Sequence, residues 1–276
     1  MRHVWSWRND FNNRGFQRII AAVDEHLGDL DLALVHANGR VDRLTRLAAE
    51  SAPYVVLQYS MRSTKTPSTR SWLPLWRHAT LVWSYYDLPG ACAQDGAPAD
   101  FRFHRSPLGI AAAFTSPPEA EKRYAVVTHG GYLTQSVREC VAAAARVGER
   151  AAHVGEPFPG HDNVDFFENV DDEELAEVYA ASRYVCGLRR VEGFEMPAAE
   201  GLACGARPIL FDREHYRHWF GDHAAYIPED DREAVIDAVA RVLASDNPVS
   251  ADERRWAVET FDWKPILEGV RGAVAG

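Results

Sequence analysis

Two glutamates eight positions apart, Glu192 and Glu200, enclose Gly193-Phe194-Glu195-Met196-Pro197-Ala198-Ala199, and Gly201-Leu202-Ala203-Cys204-Gly205-Ala206-Arg207-Pro208-Ile209 follows at once. With Pro197 in a first helical turn, Glu192 falls in the loop before a helix and Glu200 inside it. The backbone N–H groups of Gly193 to Met196 then lack intrahelical acceptors and form an end that attracts an anion. A diphosphate would meet those amides, ribose hydroxyls would find an acceptor in Glu200, and the hydroxyls of a sugar would find one in Glu192. That set suits the holding of a nucleotide sugar. The same letters also describe an ordinary buried helix after a glycine turn.

The surrounding elements must bring such a site together. Strand-like segments at 2–7, 31–37, 54–60, 80–86 and 101–104 alternate with helix-like ones at about 15–27, 40–50 and 71–79. From Tyr124 the alternation resumes: strands at 124–128, 150–155, 164–168, 183–188, 207–212 and 224–229, helices at 133–147, 171–182, 213–221 and 231–244, and a helical pair across 250–274. Strand and helix in alternation predict α/β architecture with parallel sheets covered on both faces. Asp171-Asp172-Glu173-Glu174 places acidic residues where a helix dipole favours them.

A chain of 276 residues exceeds the size at which single cores usually split, so two domains are expected. Hydrophobic content of 46% and 8 Trp are ample for packed cores, and no apolar run approaches the ~20 residues of a membrane span. The start Met1-Arg2-His3-Val4-Trp5-Ser6-Trp7 lacks the apolar stretch of a signal peptide, which predicts a cytoplasmic protein, or one in a host's cytoplasm if phage-encoded. Cys92, Cys140, Cys186 and Cys204 lie far apart and read as reduced, buried thiols. Net charge is −10, but residues 1–125 hold 15 Lys+Arg against 12 Asp+Glu, while the remainder holds 15 against 28. The first half is weakly basic and the second strongly acidic.

The stretch E-G-F-E-M-P-A-A-E-G-L-A-C-G-A-R-P-I resembles the E-x7-E signature of retaining, GT-B-fold glycosyltransferases of the family-4 type, usually E-G-F-G-x-P-x-x-E-A-x-A-C-G-x-P-V. The run from Asp171 to Ser182 resembles that family's D-E-E-L-A-x-L-Y-x-x-A, and Phe261-Asp262-Trp263 its F-S-W. The resemblance implies two Rossmann-like domains with parallel sheets facing across a cleft: an acceptor domain over 1–118, a nucleotide-sugar donor domain over 119–260, and a helix over 261–276 crossing back. Pro107-Leu108-Gly109-Ile110 and Ser116 to Arg123 read as the link. A UDP- or GDP-sugar would be the co-substrate, with no metal and no other cofactor.

In the family an Arg and a Lys after the first strand of the second domain neutralise the diphosphate. Here that loop reads Thr128-His129-Gly130-Gly131-Tyr132-Leu133-Thr134-Gln135, with Gly130 and Gln135 at the cationic positions. Arg189 and Arg190 are the substitutes the sequence offers, as donor-binding residues beside Gly130, Gly131, Gly193, Phe194, Glu195 and Glu200; a solvated loop pair is the plainer reading. His36 and His129 at strand ends join Glu192 as candidate catalytic groups, because α/β sheets hold ligands at the carboxyl ends of strands. Either histidine also suits a structural role. His215 and His218, with Asp212, Asp222 and His223 nearby, read as a packing helix rather than a metal centre.

Between Met61 and His78 lie Arg62, Lys65, Arg70, Trp72, Trp76 and Arg77. Cations bind phosphates and rings stack on bases, so Arg62, Lys65, Arg70, Trp72 and Trp76 form a candidate acceptor site for nucleic acid; the same pattern suits a lipid-linked or small-molecule acceptor, or a plain surface loop over core tryptophans. In size and charge the chain resembles phage-type enzymes that glycosylate hydroxymethylated bases in DNA. A nucleotide-sugar epimerase of the same fold and a non-catalytic sugar-nucleotide-binding module are the rival readings.

Overall fold

A computed structural model of the chain describes residues 3–5, 14–28, 31–35, 54–59, 69–130, 136–190 and 193–276. His36, Arg62, Lys65, Gly131 and Glu192, and the helix expected over 40–50, lie outside the described residues. The chain forms two compact units. The first takes the described residues up to Gly109, with Gly193, Phe194 and Asp262–Gly276; the second takes Ile110–Arg190 and Glu195–Phe261.

In the first unit the described strands β1 (His3–Trp5), β2 (Asp31–Val35), β3 (Tyr54–Gln58), β4 (Leu81–Ser84) and β5 (Phe103–Arg105) pair in parallel in chain order. Helix α1 (Arg14–Leu27) lies between β1 and β2, and α2 (Thr69–His78) between β3 and β4. Every residue of β3 and β4 is buried, as expected of strands covered on both faces. A further helix, α3 (Leu88–Gln94), starts where Asp87 accepts from the Gly90 N–H at 3.0 Å, with Pro89 in its first turn. Its dipeptide Pro89-Gly90 disguises it as a turn.

The second unit holds β6 (Tyr124–His129), α4 (Val137–Arg146), β7 (Ala151–Val154), β8 (Val164–Phe167), α5 (Asp172–Ala180), β9 (Ser182–Cys186), α6 (Met196–Ala203), β10 (Arg207–Phe211), α7 (Glu214–Phe220), β11 (Ala225–Ile227), α8 (Arg232–Ala244) and α9 (Ala251–Thr260). Its six strands are parallel in the order β11-β10-β9-β6-β7-β8. The acidic start of α5 is a complete capping box: Asp171 accepts from the Glu174 N–H at 2.8 Å and Glu174 from the Asp171 N–H at 2.9 Å. At the opposite, amino end of the sheet, Lys122 donates from Nζ to the carbonyls of Ala180, Ser182 and Gly205, each at 2.8 Å. One ammonium thus ties together the approaches to β6, β9 and β10. The final helix, α10 (Trp263–Ala275), belongs to the first unit, where Trp263 meets Trp83 edge-on at 6.4 Å and Arg271 donates to the His26 carbonyl at 2.7 Å.

His153 on β7 is completely buried beside Phe158 and Phe166, with Nδ1 at 2.9 Å from the Thr128 hydroxyl. Burial alone lowers its pKa from 6.5 to about 4. The folded protein therefore binds fewer protons than the unfolded chain between those values, so this contribution is complete above pH 6.5 and lost as pH falls toward 4. Urea midpoints should shift accordingly, with up to about 3 kcal/mol lost through this one imidazole. In His153→Phe that part of the pH dependence should vanish; an unchanged slope would show that other groups carry it.

Candidate active site

Strand order locates the site. The second unit starts in the middle of its sheet at β6, winds outward through β7 and β8, and returns to build β9, β10 and β11 on the other side. The two halves part between β6 and β9, and at such a switch point the strands' carboxyl ends leave a crevice that holds ligands. The described strands of the first unit run without reversal, so they offer no equivalent place.

β6 ends at His129, and Gly130 follows with φ of +72°, its N–H donating to the Val154 carbonyl at 3.0 Å. A left-handed residue is needed to turn the chain there, and glycine adopts it without penalty. β9 ends at Cys186 and turns tightly, the Arg189 N–H reaching the Gly187 carbonyl at 2.9 Å. Helix α6 then begins with Glu195 as the residue just outside its first turn and Pro197 in that turn. The helix start expected from the sequence is therefore where the sheet topology opens its crevice.

Glu200 is 1% exposed and Glu195 2%. Glu200 accepts a hydrogen bond at Oε2 from the Tyr179 hydroxyl at 3.2 Å, and its charge, after burial itself, helps push the Cys204 thiol well up. Tyr179 is fully buried, with its ring centroid 5.2 Å from that of His129 and 5.8 Å from that of Phe114. His129 and Glu200, distant in sequence, are thus brought together through one tyrosine. Glu195 does not cap the helix with its side chain; it accepts from Arg189 Nε at 3.2 Å. Arg190 donates to Glu229 at 3.0 Å and lies over the Phe211 ring at 5.0 Å. Both arginines follow the carboxyl end of β9, each already engaged by a carboxylate.

Gly193 and Phe194 sit in the first unit against aromatic rings. A Cβ on Gly193 would come within 2.1 Å of the Tyr86 ring, and Phe194 packs on Tyr85 at 5.8 Å. The candidate acceptor residues require a correction. Trp72 and Trp76 are fully buried in the core that α2 forms with Tyr54, Val56 and Val82, and Trp76 donates from Nε1 to Gln58 at 3.0 Å. Neither ring is available to stack on a ligand. Arg70 is exposed, with Nη2 donating to the carbonyls of Asp95 and Gly96 at 3.2 and 2.9 Å. Among the described residues no group of three or more His, Cys, Asp or Glu is placed to hold a metal ion, and no helix is long and apolar enough to cross a membrane.

Tyr179 escaped attention in the sequence, although its signal was present. Leu175 and Tyr179 stand four apart behind the acidic cap, the spacing of a helix's buried face, and a tyrosine there brings a hydroxyl that needs a partner.

Residues 159–258, which run from before β8 into α9 and include the whole of α6, match the family described as Glycosyl transferases group 1. No curated protein matches the chain significantly in sequence. Among solved structures, a sucrose-phosphate synthase from Thermosynechococcus elongatus is similar with a TM-score of 0.68 at 16% identity, covering 96% of this chain and 78% of that one. HepE from Anabaena, solved in complex with UDP, gives 0.65 at 14% identity, over 98% of this chain and 84% of its own. AviGT4, a glycosyltransferase involved in avilamycin A biosynthesis, gives 0.58 at 14% identity, over 100% and 97%. The fold is α/β of the GT-B type.

Proposed function

We propose that the chain is a glycosyltransferase that moves a sugar from a nucleotide-sugar donor to an acceptor hydroxyl with retention. The observation that carries this reading is the coincidence of the β6/β9 switch point with the start of α6 and the carboxylate of Glu200. The family match over 159–258 and the UDP held by HepE support it. In this reading Glu200 accepts the ribose hydroxyls, Glu192 those of the sugar, and the amides of Gly193 to Met196 receive the diphosphate. Charge neutralisation falls to Arg189 and Arg190, which exchange part of their pairing with Glu195 and Glu229 for the phosphates, and no metal is invoked. Retention follows a front-face path in which the leaving phosphate takes the acceptor proton, and Glu192, His36 and His129 remain the candidate catalytic groups.

Incubation with donor alone, followed by detection of free nucleotide, separates this reading from its rivals. A transferase releases nucleotide when acceptor is added, an epimerase releases it from a UDP-sugar without acceptor, and a binding module releases none. Thermal-shift measurements with UDP-, GDP- and ADP-sugars identify the donor to use.

For the acceptor, a hydroxymethylated base in DNA now rests on charge alone, through Arg62, Lys65 and Arg70, since Trp72 and Trp76 belong to the core. DNA binding should weaken steeply with salt, by about 0.9 in log affinity per log unit of salt for each phosphate contact. Charge reversal at Lys65 and Arg70 should remove it without altering donor affinity. Binding that is absent or indifferent to salt would turn the acceptor assignment to lipid-linked or small-molecule glycans.

A further inference from the structure

Beside the proposed donor carboxylate lies the buried hydroxyl of Tyr179. We infer that Tyr179 is its positioning residue, the phenol that holds the Glu200 carboxylate in the orientation the ribose requires while its ring braces His129. The inference rests on the donor reading given above, and it concerns a residue that would touch neither donor nor acceptor.

Geometry carries the argument. Tyr179 is 0% exposed, its hydroxyl donates to Glu200 Oε2 at 3.2 Å, and its ring lies tilted by 46° against that of His129. Glu200 is itself 1% exposed, so its side chain sits where a polar group needs a partner and where a hydrogen bond is stronger than in water. An ionised carboxylate offers two oxygens and about four lone-pair sites. A phenol donating to one of those oxygens restrains the carboxylate plane. Phe114 also packs against the Tyr179 ring, with centroids 5.8 Å apart. Without the hydroxyl, Glu200 loses a buried bond that sets its orientation, and the loss falls on ligands that carry ribose hydroxyls. A tyrosine that merely fills space would affect all ligands alike.

The test is calorimetric titration of the full chain with a nucleoside diphosphate, UDP or GDP as the wild type prefers, and with its 2′,3′-dideoxy analogue. The wild type should favour the natural ribose by about tenfold or more, whereas Tyr179→Phe should lose about five- to tenfold of that preference and bind the dideoxy analogue as the wild type does. Tyr179→His, which keeps a ring and a donor, should recover part of it. In a Glu200→Ala background Tyr179→Phe should change nothing further, because the two act as one unit. A Tyr179→Phe protein, or Tyr179→His should the former not fold, that keeps the full wild-type ratio and shows additive losses with Glu200→Ala overturns the positioning role and leaves the donor site standing. A wild type that binds both ligands equally, or neither, removes the ribose assignment of Glu200 and this inference with it.

Discussion

Replacing Glu200 by alanine should lower the affinity for nucleotide sugar by tenfold or more if, as proposed, two ribose hydroxyls are then left without an acceptor at about 1–3 kcal/mol each. The change also removes the acceptor that Glu200 offers the buried Tyr179 hydroxyl, so part of the cost appears as a lower melting temperature. Glu200→Gln separates the two effects. The carboxamide still accepts from Tyr179 but carries no charge, so stability should recover while donor affinity stays reduced. Unchanged affinity in a folded Glu200→Ala protein would mean that the ribose lies elsewhere, and the donor site would have to be redrawn around other residues.

Trp263→Ala lowers the stability of the first unit by about 3–5 kcal/mol, the range for removal of a large buried aromatic. The indole is 7% exposed, meets Trp83 edge-on, and lies so close to Gly109 that a Cβ there would come within 2.4 Å of its Cδ2. It is also the first residue of α10, a helix started by Asp262, which accepts from the Lys264 N–H at 3.0 Å. Loss of the ring therefore loosens the anchored end of the helix as well as the core. Denaturant unfolding monitored by tryptophan fluorescence and by far-ultraviolet dichroism measures the change. Trp263→Phe should recover much of it, and a Trp263→Ala loss below about 1 kcal/mol would show that the site collapses around the gap.

Much of the fold was legible because its signals are local. Alternating strand and helix patterns, the acid-rich start of α5 and the proline in the first turn of α6 are each readable within a few residues, and each describes the element that forms. The strand order that opens a crevice between β6 and β9 was not readable, since it depends on which strands pair across long separations. The burial of Trp72 and Trp76 had a local trace: with Leu73 and Leu75 they form the apolar face of α2, opposite Arg70 and Arg77. Neighbouring cations and hydroxyls made the segment look like a surface, although charge on one face says nothing against burial of the other. Arg189 and Glu195 pose the opposite difficulty. Their pairing depends on the turn after β9, so a sequence reading could count both as available when each occupies the other.

The clasp of Lys122 sits at the amino end of the second sheet, the end away from His129, Arg189 and α6. The Lys122 clasp and the proposed donor site thereby lie at opposite rims of one sheet. On the proposed reading, substitutions at the carboxyl rim would change donor choice while leaving the three bonds of Lys122 in place. A directed-evolution campaign on this chain would do well to fix Lys122 and its three carbonyl-bearing turns, and to randomise only at the far rim.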